Sequence, residues 1–254
     1  MKDWDVQINY GIKTGCNDAF IVDSVKRNEI LNNCITEEER QKTAEIIRPI
    51  LRGRDVCRYG YEWANLWIIN THNGIKGDLE RIHIEDYPAI KQHLDKYWDK
   101  IEPRADQGDT AYNLRNCAYL DEFSKPKIIY PNMTKFLPFV YDRSGVMTNQ
   151  KCFIITGTHL EYLTAFFNSS LFKFCFADRF PELQGKTREL SKIFMDEISI
   201  LKINDTDECM INKLVQDIQM EYSVNKAKRI DKFIFDLYHL SIEEQMYIGF
   251  IDYG

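Results

Sequence analysis

No CxxC pair occurs in this 254-residue chain, although seven cysteines are scattered at positions 16, 34, 57, 117, 152, 175 and 209. An odd number of distant thiols builds neither a disulfide framework nor a structural zinc site, and reduced cytoplasmic thiols are expected. No apolar run approaches the roughly 18 residues of a membrane span. The opening "MKDWDVQINYG" also lacks the apolar stretch of a secretory leader. A soluble, cytoplasmic chain with no membrane partner is therefore expected. Basic excess is missing too: Lys+Arg number 33 against Asp+Glu 39, a formal net charge of −6. That balance argues against nonspecific coating of nucleic acid. It leaves a local basic face open, because a field depends on how charge is distributed.

The motifs of several catalytic classes are absent. There is no GxxxxGK[ST] phosphate loop, no GxGxxG after a strand, no HExxH and no GxSxG elbow. The five histidines (72, 83, 93, 159 and 239) include no i, i+4 pair, and they read as surface or core residues. Nor is there an (N/D)PPY tetrapeptide, the device with which base methyltransferases grip an extruded adenine. Asp78, Glu80, Glu85 and Asp86 in "DLERIHIEDY" keep a metal-dependent nuclease open as an alternative. Such a cluster arises easily among so many acidic residues.

What is present is core material, at 44% hydrophobic and 13% aromatic residues, enough for one large domain or two small ones. "AFIVD" (19–23) and "LWIIN" (66–70) read as strands. Between them, Thr36 with Glu39 is a capping-box pattern that opens a helix, and Pro49 is expected to end it. "YPAIKQHLDKYWDKI" (87–101) carries one helical apolar face. Residues 125–157 look like successive strands, with a sharp turn at "YDRSG", and 158–176 is an apolar helix or helix pair. "EISILKI" (197–203) reads as one more strand. Beyond it Ile211, Leu214, Val215, Ile218 and then Ile230, Phe233, Ile234 and Leu237 recur at helical spacing, and Ser241 with Glu244 opens a last helix. The expected fold is α+β: a mixed, mostly antiparallel twisted sheet with flanking helices, then a C-terminal helical appendage. Its expected parts are residues 1–203 and 204–254.

The stretch "RPILRGRDVCRY" (48–59) places four arginines around one glycine. Guanidinium forks suit phosphates, carboxylates and the acceptor edge of guanine. On a loop after a helix they are better placed for contact than on a solvated helix face.

Four stretches in order resemble one family. "INYGIKTGCNDAFIV" (8–22) is similar to a glycine-bearing strand leading into T-G-x-N-x-A-F. "IIRPILRGRDVCRY" (46–59) resembles R-P-x-L-R-G-R-D-I-x-R-Y. "PRADQGDTAYNLRNCAYLDEFSKPKIIY" (103–130) resembles R-x-D-x-G-x-x-x-Y/W-x-L-R followed by K-P-K-I. "RIDKFIFDLYHLSIEEQMYI" (229–248) resembles a closing helix pair. Together they are similar to the TaqI-like C-terminal specificity domain of type IIG restriction–modification enzymes and adenine methyltransferases, with Tyr112 standing where many members carry Trp.

The resemblance implies sequence-specific recognition of double-stranded DNA, with no catalysis by this chain alone. It also implies a methyltransferase or nuclease region, in the same polypeptide or a separate subunit. S-adenosylmethionine and Mg²⁺ are expected only in that catalytic part. Arg52, Gly53, Arg54, Arg58, Arg104, Arg115, Lys125 and Lys127 become candidates for phosphate or guanine contact. Asn132, Lys135, Tyr141, Arg143 and Asn149, on the strand-turn-strand from 130 to 151, become candidates for base readout, with Thr14 and Asn17 as further groove-facing residues. The competing expectation is that the arginines hold their own loops and the helices bind a protein partner.

Overall fold

Short strands alternate with helices up to Gly157 and helices dominate thereafter, in a computed structural model that describes residues 1–176, 179–183, 185 and 187–251. The chain begins with β1 (Val6–Tyr10), α1 (Asn17–Phe20), β2 (Ile21–Asp23), α2 (Ser24–Asn32), α3 (Glu37–Ile46) and β3 (Ile47–Leu51). A single 3-10 turn, Gly53–Asp55, leads to β4 (Val56–Cys57), β5 (Gly60–Tyr61) and β6 (Leu66–Ile69), then to α4 (Pro88–Asp95) and α5 (Trp98–Ile101). A strand block follows: β7 (Lys127–Pro131), β8 (Met133–Thr134), β9 (Val140–Asp142), β10 (Met147–Thr148) and β11 (Cys152–Gly157). After it come α6 (Leu160–Asn168), α7 (Ser170–Phe176), β12 (Arg188–Glu189) and α8 (Lys192–Asp196). The chain closes with α9 (Asp205–Met220), α10 (Val224–Leu237) and α11 (Ile242–Ile248).

Two four-stranded sheets organise these pieces. The first has the order β1-β11-β7-β9, antiparallel throughout. The second has the order β10-β3-β6-β2, antiparallel except for the parallel β10–β3 pair. Alternation along β7 and β11 explains their almost unbroken apolar sequences. Ile128, Tyr130, Phe153 and Ile155 point into one core with Leu163, Phe166 and Phe167 of α6. Their neighbours Ile129, Cys152 and Ile154 enter a second core with Ile47, Ile50, Ile68 and Ile69 of the other sheet and Ile90 and Leu94 of α4. A strand buried on both faces has no polar register to display.

Helix ends follow the capping chemistry. The Thr36 hydroxyl accepts from the Glu39 amide at 3.1 Å. The return half of the expected box is not made, because Glu39 accepts instead from Ile35 N at 2.8 Å and Ala89 N at 3.0 Å, tying α3 to α4. Ser241 and Glu244 make both halves, at 3.2 and 2.7 Å.

Several local expectations are corrected. Pro49 lies inside β3, and the helix has already ended at Ile46, so the arginine run begins on a strand and only Arg52 to Arg58 form the loop. Arg48 donates to Gly145 O at 2.8 Å from that strand. The turn at Asp142–Gly145 does not close a hairpin: β9 is the edge of the first sheet and β10 belongs to the second, so the turn carries the chain between sheets. Residues 198–203 form no strand; Leu201 O instead accepts from the Tyr162 hydroxyl at 2.8 Å. The C-terminal stripes behave as their period requires: Ile211, Val215, Ile218, Ile230 and Ile234 bury in the same core as Ile8, Phe153 and Phe166.

Candidate nucleic-acid interface

Loops leaving the two sheets meet along one seam. Asn149 N donates to Leu51 O at 2.9 Å, and Asn132 N donates to Lys151 O at 2.9 Å. Residues 52–58, 132–138 and 149–151 are thereby tied edge to edge. Gly53 lies in that seam, where a Cβ would stand 2.9 Å from Lys151 O and 3.3 Å from Pro131 Cβ. The groove framed by these loops has a volume of about 680 Å³. Arg52, Arg54, Arg58, Lys135, Lys151 and Lys173 line it, together with Asn132 and Asn149 and the apolar Met133, Phe136 and Pro138. Among the described residues no acidic side chain lines it. A chain of net charge −6 thus gathers cations around one concavity, where low-dielectric walls focus the field.

These cations are not equivalent. The Arg52 guanidinium grips Asp55, with contacts of 2.7 and 3.0 Å, while its own amide donates to the same carboxylate at 2.8 Å. The buried Asp55 therefore shapes the loop, and Arg52 is its counter-ion. Arg58 donates to Asn168 O at 2.7 Å and lies 5.3 Å from the Phe250 ring centroid, so it also braces α6 and the C-terminal segment. Arg54, Lys135 and Lys151 are exposed, and their side chains make no hydrogen bond or ion pair with the described residues.

A second groove of about 660 Å³ adjoins the first at Lys151 and is lined by Tyr10, Lys13, Arg115, Tyr119 and Gln150. Arg115 is exposed and only loosely held, 3.4 Å from Asp106.

The other candidates are placed elsewhere. Arg104 is buried and donates to the carbonyls of Thr14, Asp106, Ala111 and Asn113, and burial pushes its pKa down to about 10. Lys127 is fully buried against Asp142, and burial lowers its pKa while the carboxylate opposes the shift. Both cations face the interior, which corrects the expectation that their heads meet a ligand. Thr14 is buried and donates to Asn17 Oδ1 at 2.7 Å; Asn17 itself is exposed at the start of α1. Lys125 pairs with Asp121 and Glu122 at 2.8 and 2.6 Å, away from the groove. Tyr141 and Arg143 border a separate depression with Gln216 and Gln219 of α9, and Arg143 pairs with Glu161 at 2.7 Å.

Sequence reading missed Lys151, Lys173, Met133 and Phe136 as groove residues. A usable signal lay in "NMTKFLP", where Met133 and Phe136 stand in a proline-bounded piece too short for a core strand. The acidic residues 78–86 do not converge: Glu80 pairs with His83 at 3.2 Å, and among the described residues no three His, Cys, Asp or Glu gather to hold a metal ion. No described helix is long and apolar enough to cross a membrane.

Fold and groove together define an α+β domain with one strongly cationic concave face. A family model for the TaqI-like C-terminal specificity domain matches residues 48–200. The match spans more than half of the chain, and the chain belongs to this family. Among solved structures, its fold is similar to the type IIL restriction-modification enzyme MmeI in complex with DNA, with a TM-score of 0.68 and 10% identity over 95% of this chain and 35% of that one. It is also similar to the type IIG restriction endonuclease BpuSI, with a TM-score of 0.54 and 14% identity over 91% of this chain and 30% of that one. At such identities the likeness is one of fold. The chain spans about a third of the length of those enzymes.

Proposed function

We propose that this chain reads a double-stranded DNA target for a restriction–modification enzyme, in the cytoplasm, and catalyses no step itself. The observation that carries the reading is a groove lined by no acidic side chain among the described residues, in which Arg54, Lys135 and Lys151 have no partner among those residues. Uncompensated cations are the complement of a phosphate backbone, which supplies affinity without sequence information. Asn132 and Asn149 offer carboxamides suited to base edges in the major groove. Arg115 and Lys13, which share Asp106 as counter-ion, border the adjoining groove.

Membership of a specificity-domain family supports a division of labour. In this reading residues 1–203 carry recognition. The helices of 204–254 pack on them and present a surface to a methyltransferase or nuclease region, in the same polypeptide or another subunit. S-adenosylmethionine and Mg²⁺ belong to that region.

The test is selection of random-sequence duplex by the purified chain at low salt, beside the variant R54A/K135A/K151A. These three side chains are exposed and make no hydrogen bond or ion pair with the described residues, so the variant is expected to fold. A motif enriched by the native chain and lost in the variant is the expected result. A folded native chain that enriches nothing, or an enrichment the variant retains in full, overturns the reading.

A further inference from the structure

The cations of the groove account for affinity but not for its apolar lip. We infer that Phe136, with Met133 beside it in the lining, is a base reader that takes the 5-methyl group of a thymine in the major groove. This inference rests on the DNA reading above.

The backbone around Phe136 is pinned on both sides. Met133 and Thr134 pair with Glu189 and Arg188 of β12, and the Asn132 carbonyl accepts from Leu190 N at 2.8 Å. The Phe136 amide donates to the Thr134 hydroxyl at 3.0 Å. On the far side Leu137 is buried, at a φ of 48°, and Pro138 is buried after it. A left-handed leucine is a costly way to turn a loop. Here it sends Leu137 into the core while its neighbour stays outside. Phe136 keeps 51% of its surface exposed and Met133 keeps 46%. The loop backbone is anchored, and it presents both apolar side chains at the groove.

Position then defines the complement. Phe136 and Met133 line the same groove as Arg54, Lys135 and Lys151. Whatever settles there must be anionic and must also offer an apolar group. In duplex DNA the base edges are hydrogen-bond donors and acceptors in both grooves, with one exception: the thymine methyl in the major groove. A phenyl ring at the lip that tells one intact base pair from another does so through that methyl group. Stacking on an exposed base would be indifferent to that methyl group, which makes the two modes separable.

The experiment takes the duplex selected by the native chain and replaces each thymine in turn by deoxyuridine, which removes only the methyl group. At one position the native chain should bind the uracil duplex about fourfold more weakly, the worth of one buried methyl group. Phe136→Ala should bind the thymine and uracil duplexes equally. Phe136→Leu should keep part of the difference, and Lys151→Ala should weaken both duplexes while preserving their ratio. Phe136 is half exposed, and circular dichroism verifies that its variants fold. Three results overturn the inference: no position sensitive to uracil, a selected site with no thymine, or a methyl preference that survives in Phe136→Ala. Selection of no motif at all would overturn the DNA reading instead.

Discussion

Lys127 Nζ lies 2.6 Å from a carboxylate oxygen of Asp142 and 2.8 Å from Phe123 O, and both charged side chains are closed to solvent. The two residues face each other in the β7–β9 register. Asp142 Oδ1 also accepts from the amide and hydroxyl of Ser144, at 3.1 and 2.6 Å, so one carboxylate builds the turn that takes the chain from the first sheet to the second.

Removing one partner of such a pair leaves a charge buried alone. Asp142→Ala should cost about 3–5 kcal/mol, because the Lys127 ammonium then has only a carbonyl. Lys127→Met with Asp142→Leu should cost clearly less than either single change. Urea unfolding of the three variants decides this, and a double variant as unstable as the singles would show that the charges are not the reason.

The groove cations should separate by what they touch. Arg54→Ala and Lys151→Ala should each flatten the slope of log Kd against log salt by about 0.9, the value of one phosphate contact, with no change in unfolding midpoint. Arg52→Ala is different. It strips the counter-ion from Asp55, which is only 5% exposed, and should cost roughly 1.5–3 kcal/mol of stability. Salt titrations beside urea curves distinguish the two classes; a normal midpoint in Arg52→Ala would mean that Asp55 finds another donor.

Which of these roles could be read in the sequence follows from what local pattern encodes. Helices α9 and α10 were legible from their apolar period, and α3 and α11 from the Thr36 and Ser241 caps, all of them local signals. The arginine–glycine block stood out in the sequence, but three of its four guanidinium groups have internal work, Arg48 on Gly145 O, Arg52 on Asp55 and Arg58 on Asn168 O. The fates of individual cations were not legible. Lys127 and Lys125 are two residues apart, yet one is buried against Asp142 and the other pairs on the surface. Lys125 precedes β7 while Lys127 opens it opposite Asp142, a partner fifteen residues away, and neither fact is visible as a motif. Likewise "ISILKI" has strand composition, but the segment lies against the side chains of Tyr162 and Tyr238 instead of a strand edge.

Acid should weaken the fold before any carboxylate titrates at its ordinary value. Burial lowers the pKa of both His72 and His93; His93 Nε2 is 3.0 Å from Ala19 O. A histidine with a depressed folded-state pKa binds fewer protons folded than unfolded below about 6.5, so stability is full above that pH and falls as pH drops through the window beneath it. Asp231, whose pKa burial raises, acts in the opposite sense, since its protonation on acidification favours the folded state. His93→Gln, which keeps a donor for Ala19 O, should therefore flatten the loss of urea midpoint between about pH 6.5 and 5. An unchanged slope in that variant assigns the effect to His72 or to neither.

Gly53 tests whether the groove depends on shape as well as charge. Its Cβ would stand 2.9 Å from Lys151 O and 3.3 Å from Pro131 Cβ, so Gly53→Ala must push the 52–55 loop away from residues 149–151. Overpacking of that size costs about 1–3 kcal/mol and spreads Arg54 from Lys151 without removing either charge. DNA binding should weaken while the salt slope stays as in the native chain, because the number of available cations is the same. A lower affinity with a flatter slope would mean that the displaced loop takes Arg54 out of reach of the backbone altogether. Native affinity and native stability together would mean that the seam between the two loops gives way freely and the glycine is not required there.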